Sequence, residues 1–196
     1  MNFLKNLSLF NKKSERNEEF NPELVEEISS GNIETSEYIL NGEKLFFDDF
    51  RQYYLGEGNV KLTSKENNLI LLGDEGYHDK ANGFSKIYGN AIMKKIMQLD
   101  TFYVAADTMV AIESEYDSAK RILAYPDIRI FKMNVQGIAD STAYFLADSI
   151  IMLYQNPVLW TGENQVLSDT IAIQLSDSSV EKMDLKRNAF LISKDS

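Results

Sequence analysis

The chain of 196 residues is long enough for one substantial core, and it carries a formal net charge of −10 with its acids scattered rather than blocked. Its basic pairs, Lys94-Lys95 and Lys186-Arg187, are too small for a phosphate track, and with no cysteine and one histidine it also lacks a disulfide framework, a thiolate metal site and an imidazole pair around zinc. No run of 18 apolar residues exists, so no transmembrane helix is predicted.

In chain order, residues 1–20 read as a flexible leader, with Lys5, Lys12, Lys13, Arg16, Glu18 and Glu19 crowding a weakly apolar start. Residues 1–10 have no h-region, and no small-residue cleavage site follows, so no secretory signal is read there. Residues 21–41 are expected to form a short helix and a linker. The helix falls over residues 21–31, where Asn21 caps, Pro22 takes the first helical position, acids fill the first turn and Gly31 closes.

From residue 42 to residue 196 the chain repeats itself. An apolar strand pattern follows an Asn or Asp at a chain reversal five times, beginning at Asn59, Asn90, Asp127, Asn156 and Asn188, at intervals of 31, 37, 29 and 32 residues. A second anchor, a small residue before an aspartate, lies between them: Gly73-Asp74, Ala106-Asp107, Ala139-Asp140 and Ser168-Asp169. Such a period without residue identity signals one supersecondary unit copied several times, each copy unable to bury its apolar face alone.

Side chains of a strand alternate between faces, so the residues one and three after each Asn or Asp share a face with those three and five before it. This rule yields an inward set of Val60, Leu62, Ile87, Met93, Ile122, Ile128, Ile130, Ile151, Leu153, Leu159, Met183, Leu185 and Leu191. Lys61 and Arg129 fall on the opposite face, as do Tyr88, Tyr125 and Tyr154, which recur two residues before their anchors. The fold predicted is all-β, an elongated jelly roll of short antiparallel strands. Near-equivalent repeats favour stacking over a closed barrel.

Residues of catalytic type do not converge. The serines lack a nucleophile elbow, and the glycines match neither a phosphate-binding loop nor a dinucleotide fingerprint, so no enzyme activity, cofactor or metal is expected. His78, in a Tyr77-His78-Asp79-Lys80 turn, is read as a solvated loop residue. Asp74, Asp107, Asp140 and Asp169 are read as turn or strand-end residues, since calcium-binding β-rolls use a shorter period with paired glycines. Trp160 and the recurrent tyrosines are read as cross-strand packing rather than sugar stacking.

The C-terminal half is specific enough to resemble a family. Asp148-Ser149-Ile150-Ile151-Met152-Leu153-Tyr154, Asn156-Pro157-Val158-Leu159-Trp160, Glu163-Asn164-Gln165, Asp169-Thr170-Ile171 and Asn188-Ala189-Phe190-Leu191-Ile192-Ser193 are together similar to the OstA-like proteins of the Bacteroidetes type, relatives of the lipopolysaccharide-transport protein LptA. Upstream, Gly58-Asn59-Val60, Gly73-Asp74-Glu75-Gly76-Tyr77, Gly89-Asn90-Ala91 and Ala105-Ala106-Asp107-Thr108 resemble the same units. The resemblance implies a twisted jelly roll, open at both ends, that shelters lipopolysaccharide acyl chains between two sheets in the periplasm. The inward set would then line the groove.

The resemblance also implies end-to-end self-association or docking to other jelly-roll bridge proteins, and the apolar end Phe190-Leu191-Ile192 has few features that block strand pairing. Family members begin with a secretory signal and are longer, so a fragment or a lost start is expected. A surface β-solenoid without lipid is the alternative to a carrier. A carbohydrate-active β-helix would need acids facing one cleft.

Overall fold

A computed structural model describes residues 26–36, 38–48 and 50–193. Among them the chain is all-β and antiparallel. Six long strands come first: β1 (Glu26–Glu34), β2 (Tyr38–Asp48), β3 (Tyr53–Ser64), β4 (Leu69–Asp79), β5 (Phe84–Ile96) and β6 (Thr101–Ile112). Ten short strands follow: β7 (Arg121–Tyr125), β8 (Ile128–Lys132), β9 (Val135–Ala139), β10 (Ser141–Phe145), β11 (Ile150–Tyr154), β12 (Val158–Thr161), β13 (Asn164–Leu167), β14 (Thr170–Leu175), β15 (Val180–Lys186) and β16 (Phe190–Ser193). A three-residue 3-10 turn, Asp117–Ala119, interrupts the β6–β7 connection.

The register resolves this ribbon into two leaves. Leaf I takes residues 26–29, 44–48, 53–57, 75–79, 84–88 and 108–112 from β1–β6, then continues through β7, β10, β11, β14 and β15. Leaf II takes residues 31–34, 38–41, 60–64, 69–73, 91–96 and 101–106 of the same long strands, then β8, β9, β12, β13 and β16. Each leaf therefore runs in chain order. The crossings from one leaf to the other line up along one side, the spine, and the hairpins lie on the other.

The repeated residues build the spine. Asn59, Asn90, Asp127, Asn156 and Asn188 all have left-handed backbones, with φ of 49°, 52°, 59°, 58° and 42°. Asn and Asp tolerate that region better than other side chains, because a short polar group bonds locally. The preceding residue is left-handed too at Gly58, Gly89, Gln155 and Arg187, whereas Pro126 is held at negative φ by its ring. Two such residues in succession shift the register of the ladder and turn the strand into the other leaf.

The aspartates clasp these corners from the neighbouring strand. Asn90 Nδ2 donates to Asp74 Oδ2 at 2.8 Å, and Asn188 Nδ2 donates to both Asp169 oxygens at 3.1 Å. Asn59 makes the equivalent bond to Glu43. Backbone bonds repeat the contact, from Asp107 N to the Pro126 carbonyl and from Asp169 N to that of Arg187. Asp74, Asp107 and Asp169 thus hold corners, but Asp74 and Asp107 lie within β4 and β6, where the strand passes from one leaf to the other, while Asp140 and Asp169 fall between strands. No group of three or more His, Asp or Glu converges to hold a metal among the described residues.

The helix expected over residues 21–31 does not form where it can be seen. From Glu26 the chain is strand β1, paired to β2 through Ile28↔Leu45 and Ile33↔Leu40; residues 21–25, like the leader, lie outside the described residues. The capping pattern is local, and Ser29, Ser30, Gly31 and Asn32 propagate a helix poorly. The unpaired edge of β2 offers a full ladder of backbone bonds instead.

Candidate functional site between the leaves

Along both leaves alternate side chains turn toward the other leaf and merge into one core cluster. Leaf II contributes Leu62, Leu71, Met93, Val104, Phe102 and Ile130, while leaf I contributes Ile87, Met109, Ile122, Tyr144, Ile151 and Ile173. Near the spine the leaves approach so closely that glycine is required. A Cβ on Gly73 would lie 2.4 Å from Ile87 Cγ2; within leaf II, one on Gly137 would lie 2.1 Å from Leu159 Cδ2 of the paired strand β12.

The expected groove is not open in this state. Two voids of about 10 Å³ each lie between the leaves, at the lower bound for one water molecule, and their walls are mostly apolar, with Ser64 and Asn67 at the first and Thr142 at the second. One is walled by Leu62, Leu69 and Leu71 against Ala111, Ile122 and Leu146. The other is walled by Met93 and Val104 against Met109, Ala124, Tyr144 and Ile151, and Ile122 divides the two. The inward side chains of both leaves are buried against one another in a single cluster, so a guest of acyl-chain size requires the leaves to part.

The hairpin side, the mouth, carries the polar residues of the interior. In the β5–β6 hairpin, Gln98 donates its backbone N–H to the Asp177 carbonyl of the β14–β15 hairpin at 2.8 Å, joining leaf II to leaf I, with Met97 buried beside it. Lys95 and Lys132 sit two residues beyond the inward Met93 and Ile130. Burial lowers the Lys95 pKa, against an opposing attraction from Asp177, and its ammonium donates to the Asn67 carbonyl at 2.9 Å. Lys132 pairs with Asp100 at 3.2 Å. The Thr101 amide, followed by those of Met133 and the Lys132 ammonium, holds the Asp100 carboxyl below its ordinary value despite desolvation.

His78 is not the solvated loop residue expected. It lies within β4, facing inward and 5% exposed, with Nδ1 3.0 Å from Ser85 Oγ and 3.5 Å from Glu113 Oε1. Its ring stacks on Tyr54 at 5.7 Å and tilts against Tyr38 of leaf II at 6.2 Å. Burial lowers its pKa; Asp79 opposes this and Lys80 adds to it. Because Ser85 and Glu113 face the same ring nitrogen, the three do not form a nucleophile, base and orienting-acid chain, which needs both nitrogens.

The residues predicted to face inward are placed as follows. Val60, Leu62, Ile87, Met93, Ile122, Ile128, Ile130, Ile151, Leu153 and Leu159 are buried in the one core. Met183 and Leu185, on β15, are partly buried against it. Leu191 pairs with the buried Val166 across β13–β16, yet it is 66% exposed. Sequence reasoning missed the strands between the anchors. Measured from Asp74, Asp107, Asp140 and Asp169, the inward residues fall at minus five, minus three, plus two and plus four. That pattern gives Leu69, Leu71, Gly76 and His78, then Phe102, Val104, Met109 and Ala111, then Val135, Gly137, Thr142 and Tyr144. The signal was in the chain.

Tyr125 and Tyr154 lie outside the sandwich as predicted, in a smaller cluster with Val110, Leu123 and Ala143 on the outer face of leaf I. Tyr88 donates its hydroxyl to Glu75 at 2.6 Å, and burial, followed by this bond, raises its pKa. No helix among the described residues is long and apolar enough to cross a membrane.

No family model and no curated protein sequence matches this chain. Among solved structures it is similar to LptH, the LptA-homologous periplasmic component of the conserved lipopolysaccharide transport device from Pseudomonas aeruginosa. That likeness has 10% sequence identity and a TM-score of 0.32, covering 87% of this chain and 95% of that one.

Proposed function

We propose that this chain is a non-enzymatic carrier that holds the acyl chains of a lipopolysaccharide-type lipid between its two leaves, in the periplasm. The observation that carries the reading is an apolar interior running from rung to rung, between leaves that are covalently continuous along the spine and meet across the mouth through side-chain packing and the Gln98–Asp177 bond. Such a sandwich can exchange core side-chain contacts for lipid contacts. Sheltering one 12-carbon chain from water is favourable by about 9 kcal/mol gross, at roughly 0.8 kcal/mol per methylene. The filled interior makes this a carrier that loads by opening.

The inward set is the proposed lining, with Ile122 at its centre between the voids. The exposed Phe190, Leu191 and Ile192 on β16 support docking of a further strand there, from a second copy or a similar jelly roll. The two small voids favour one rival, a surface β-solenoid whose interior is simply a core.

Disulfide trapping separates the readings. Because the native chain has no cysteine, Gln98→Cys with Asp177→Cys can close the mouth selectively. A carrier takes up cis-parinaric acid when reduced, loses uptake when oxidised, and co-purifies with lipid by native mass spectrometry from a lipopolysaccharide-producing host. A protein that takes up no acyl probe in either state is the solenoid.

A further inference from the structure

We infer that the outer face of leaf II docks on an anionic lipid bilayer, an interaction that does not depend on what the interior holds. The whole chain has a net charge of −10, yet from β2 to β16 the outward positions of leaf II carry Lys61, Lys94 and Arg129 and no carboxylate among the described residues. The acids nearest this face sit at its margins: Asp74, Asp107, Asp127 and Asp140 at the spine corners, and Glu66, Glu163 and the Lys132-paired Asp100 at the hairpins. The strand positions between these margins are cationic, complementary to a negative lipid surface.

The uncharged residues of this face match the same partner. Phe131 on β8 is 53% exposed and Trp160 on β12 40% exposed, both opposite Gln136 of the intervening β9, where Ile138 is 48% exposed beside them, and the hairpin tips present Leu99 and Met133 at 84% and 74% exposure. Tyr103 leans on Phe131 with ring centroids 6.3 Å apart and lies under the Lys94 ammonium at 5.9 Å. Aromatic rings beside cations suit the headgroup boundary, where an amphipathic ring is more stable than in water or in hydrocarbon. Adjacent strands twist by about 20–25°, so a contact of a few rungs centred on β6, β8, β9 and β12 is what one plane can meet.

The outer face of leaf I is different. Its large side chains are drawn together around Val110, Leu123 and Ala143, and carboxylates such as Glu57, Glu75 and Asp184 share the face.

Trp160 is the single tryptophan of the chain, so the face reports on itself. The full chain is titrated with phosphatidylcholine vesicles and with phosphatidylcholine–phosphatidylglycerol vesicles, following tryptophan emission and co-sedimentation. Expected are a blue shift, quenching by brominated lipid and salt-sensitive sedimentation with the anionic vesicles alone. Lys94→Glu with Arg129→Glu should weaken partitioning at least about tenfold. Phe131→Ser with Met133→Ser should abolish the blue shift, and Lys182→Glu on leaf I should change neither. Unchanged emission and no sedimentation with anionic vesicles overturn the inference. So does a blue shift without vesicles that rises with protein concentration alongside dimer formation, since a second copy would then occupy the face.

Discussion

The first half of the molecule and the second make the same corner in two ways. In β3 and β5 a Gly-Asn pair bends an unbroken strand from one leaf to the other; in the second half the corner separates β7 from β8, β11 from β12 and β15 from β16. The difference lies in the residue before the anchor. Glycine at positions 58 and 89 enters the left-handed region without strain and lets the ladder resume after a bulge. Pro126 removes a donor, and Gln155 and Arg187 are held left-handed at φ of 64° and 63°, where a side chain is strained. The repeat therefore conserves geometry while the sequence that delivers it drifts.

The largest expected effect comes at the join of the halves, where β7 meets β6. Ile122→Ala should cost about 2–5 kcal/mol in denaturant melts by uniting the two voids, while raising the affinity for a small apolar probe such as benzene, because a larger dry cavity accepts apolar guests. A tight core with no capacity to open would lose stability and gain no binding.

Next come the corners. Gly89→Ala should cost about 1–3 kcal/mol, since its φ of 70° is strained for a side chain and a Cβ would lie 2.6 Å from Asp74 Oδ2. Asn90→Ala should cost about 1–2 kcal/mol, combining left-handed strain with loss of the Asp74 bond. The second half should respond in the opposite sense. Arg187→Gly is expected to stabilise by about 0.5–1 kcal/mol, relief of strain exceeding the extra entropy of glycine in the unfolded chain. Equal responses of the two halves to glycine would show that the corners are not strained differently.

The smallest effect belongs to His78. Its folded-state pKa is depressed below 6.5 by burial, so the unfolded chain takes up a proton first as the pH falls. The contribution to stability is complete above about 6.5 and lost as the pH drops from there toward the folded pKa. Thermal melts should show a falling midpoint over that window, flattened in His78→Gln.

Much of this organisation can be read along the chain. Every predicted Asn or Asp anchor is a corner, because a left-handed residue is a local demand that few residue types meet. The inward faces of the strands flanking those anchors follow from alternation. Two readings failed for one reason. The helix pattern as far as it reaches residues 26–31 and the polar run around His78 are short-range signals, and over the described residues each was overridden by a neighbouring strand. β2 offers backbone partners to residues 26–34, and Ser85 with Tyr54 gives the His78 ring a buried place.

What the sequence determined by itself is the repeat, the all-β class and where the ribbon bends, since these depend on backbone preferences and a period of two. Tertiary structure alone decided how far apart the leaves stand, that their side chains fill the space, and that Gln98 meets Asp177 across the mouth. Those are contacts between segments remote in the chain, set by twist and packing volume, and no local pattern encodes a distance between two faces.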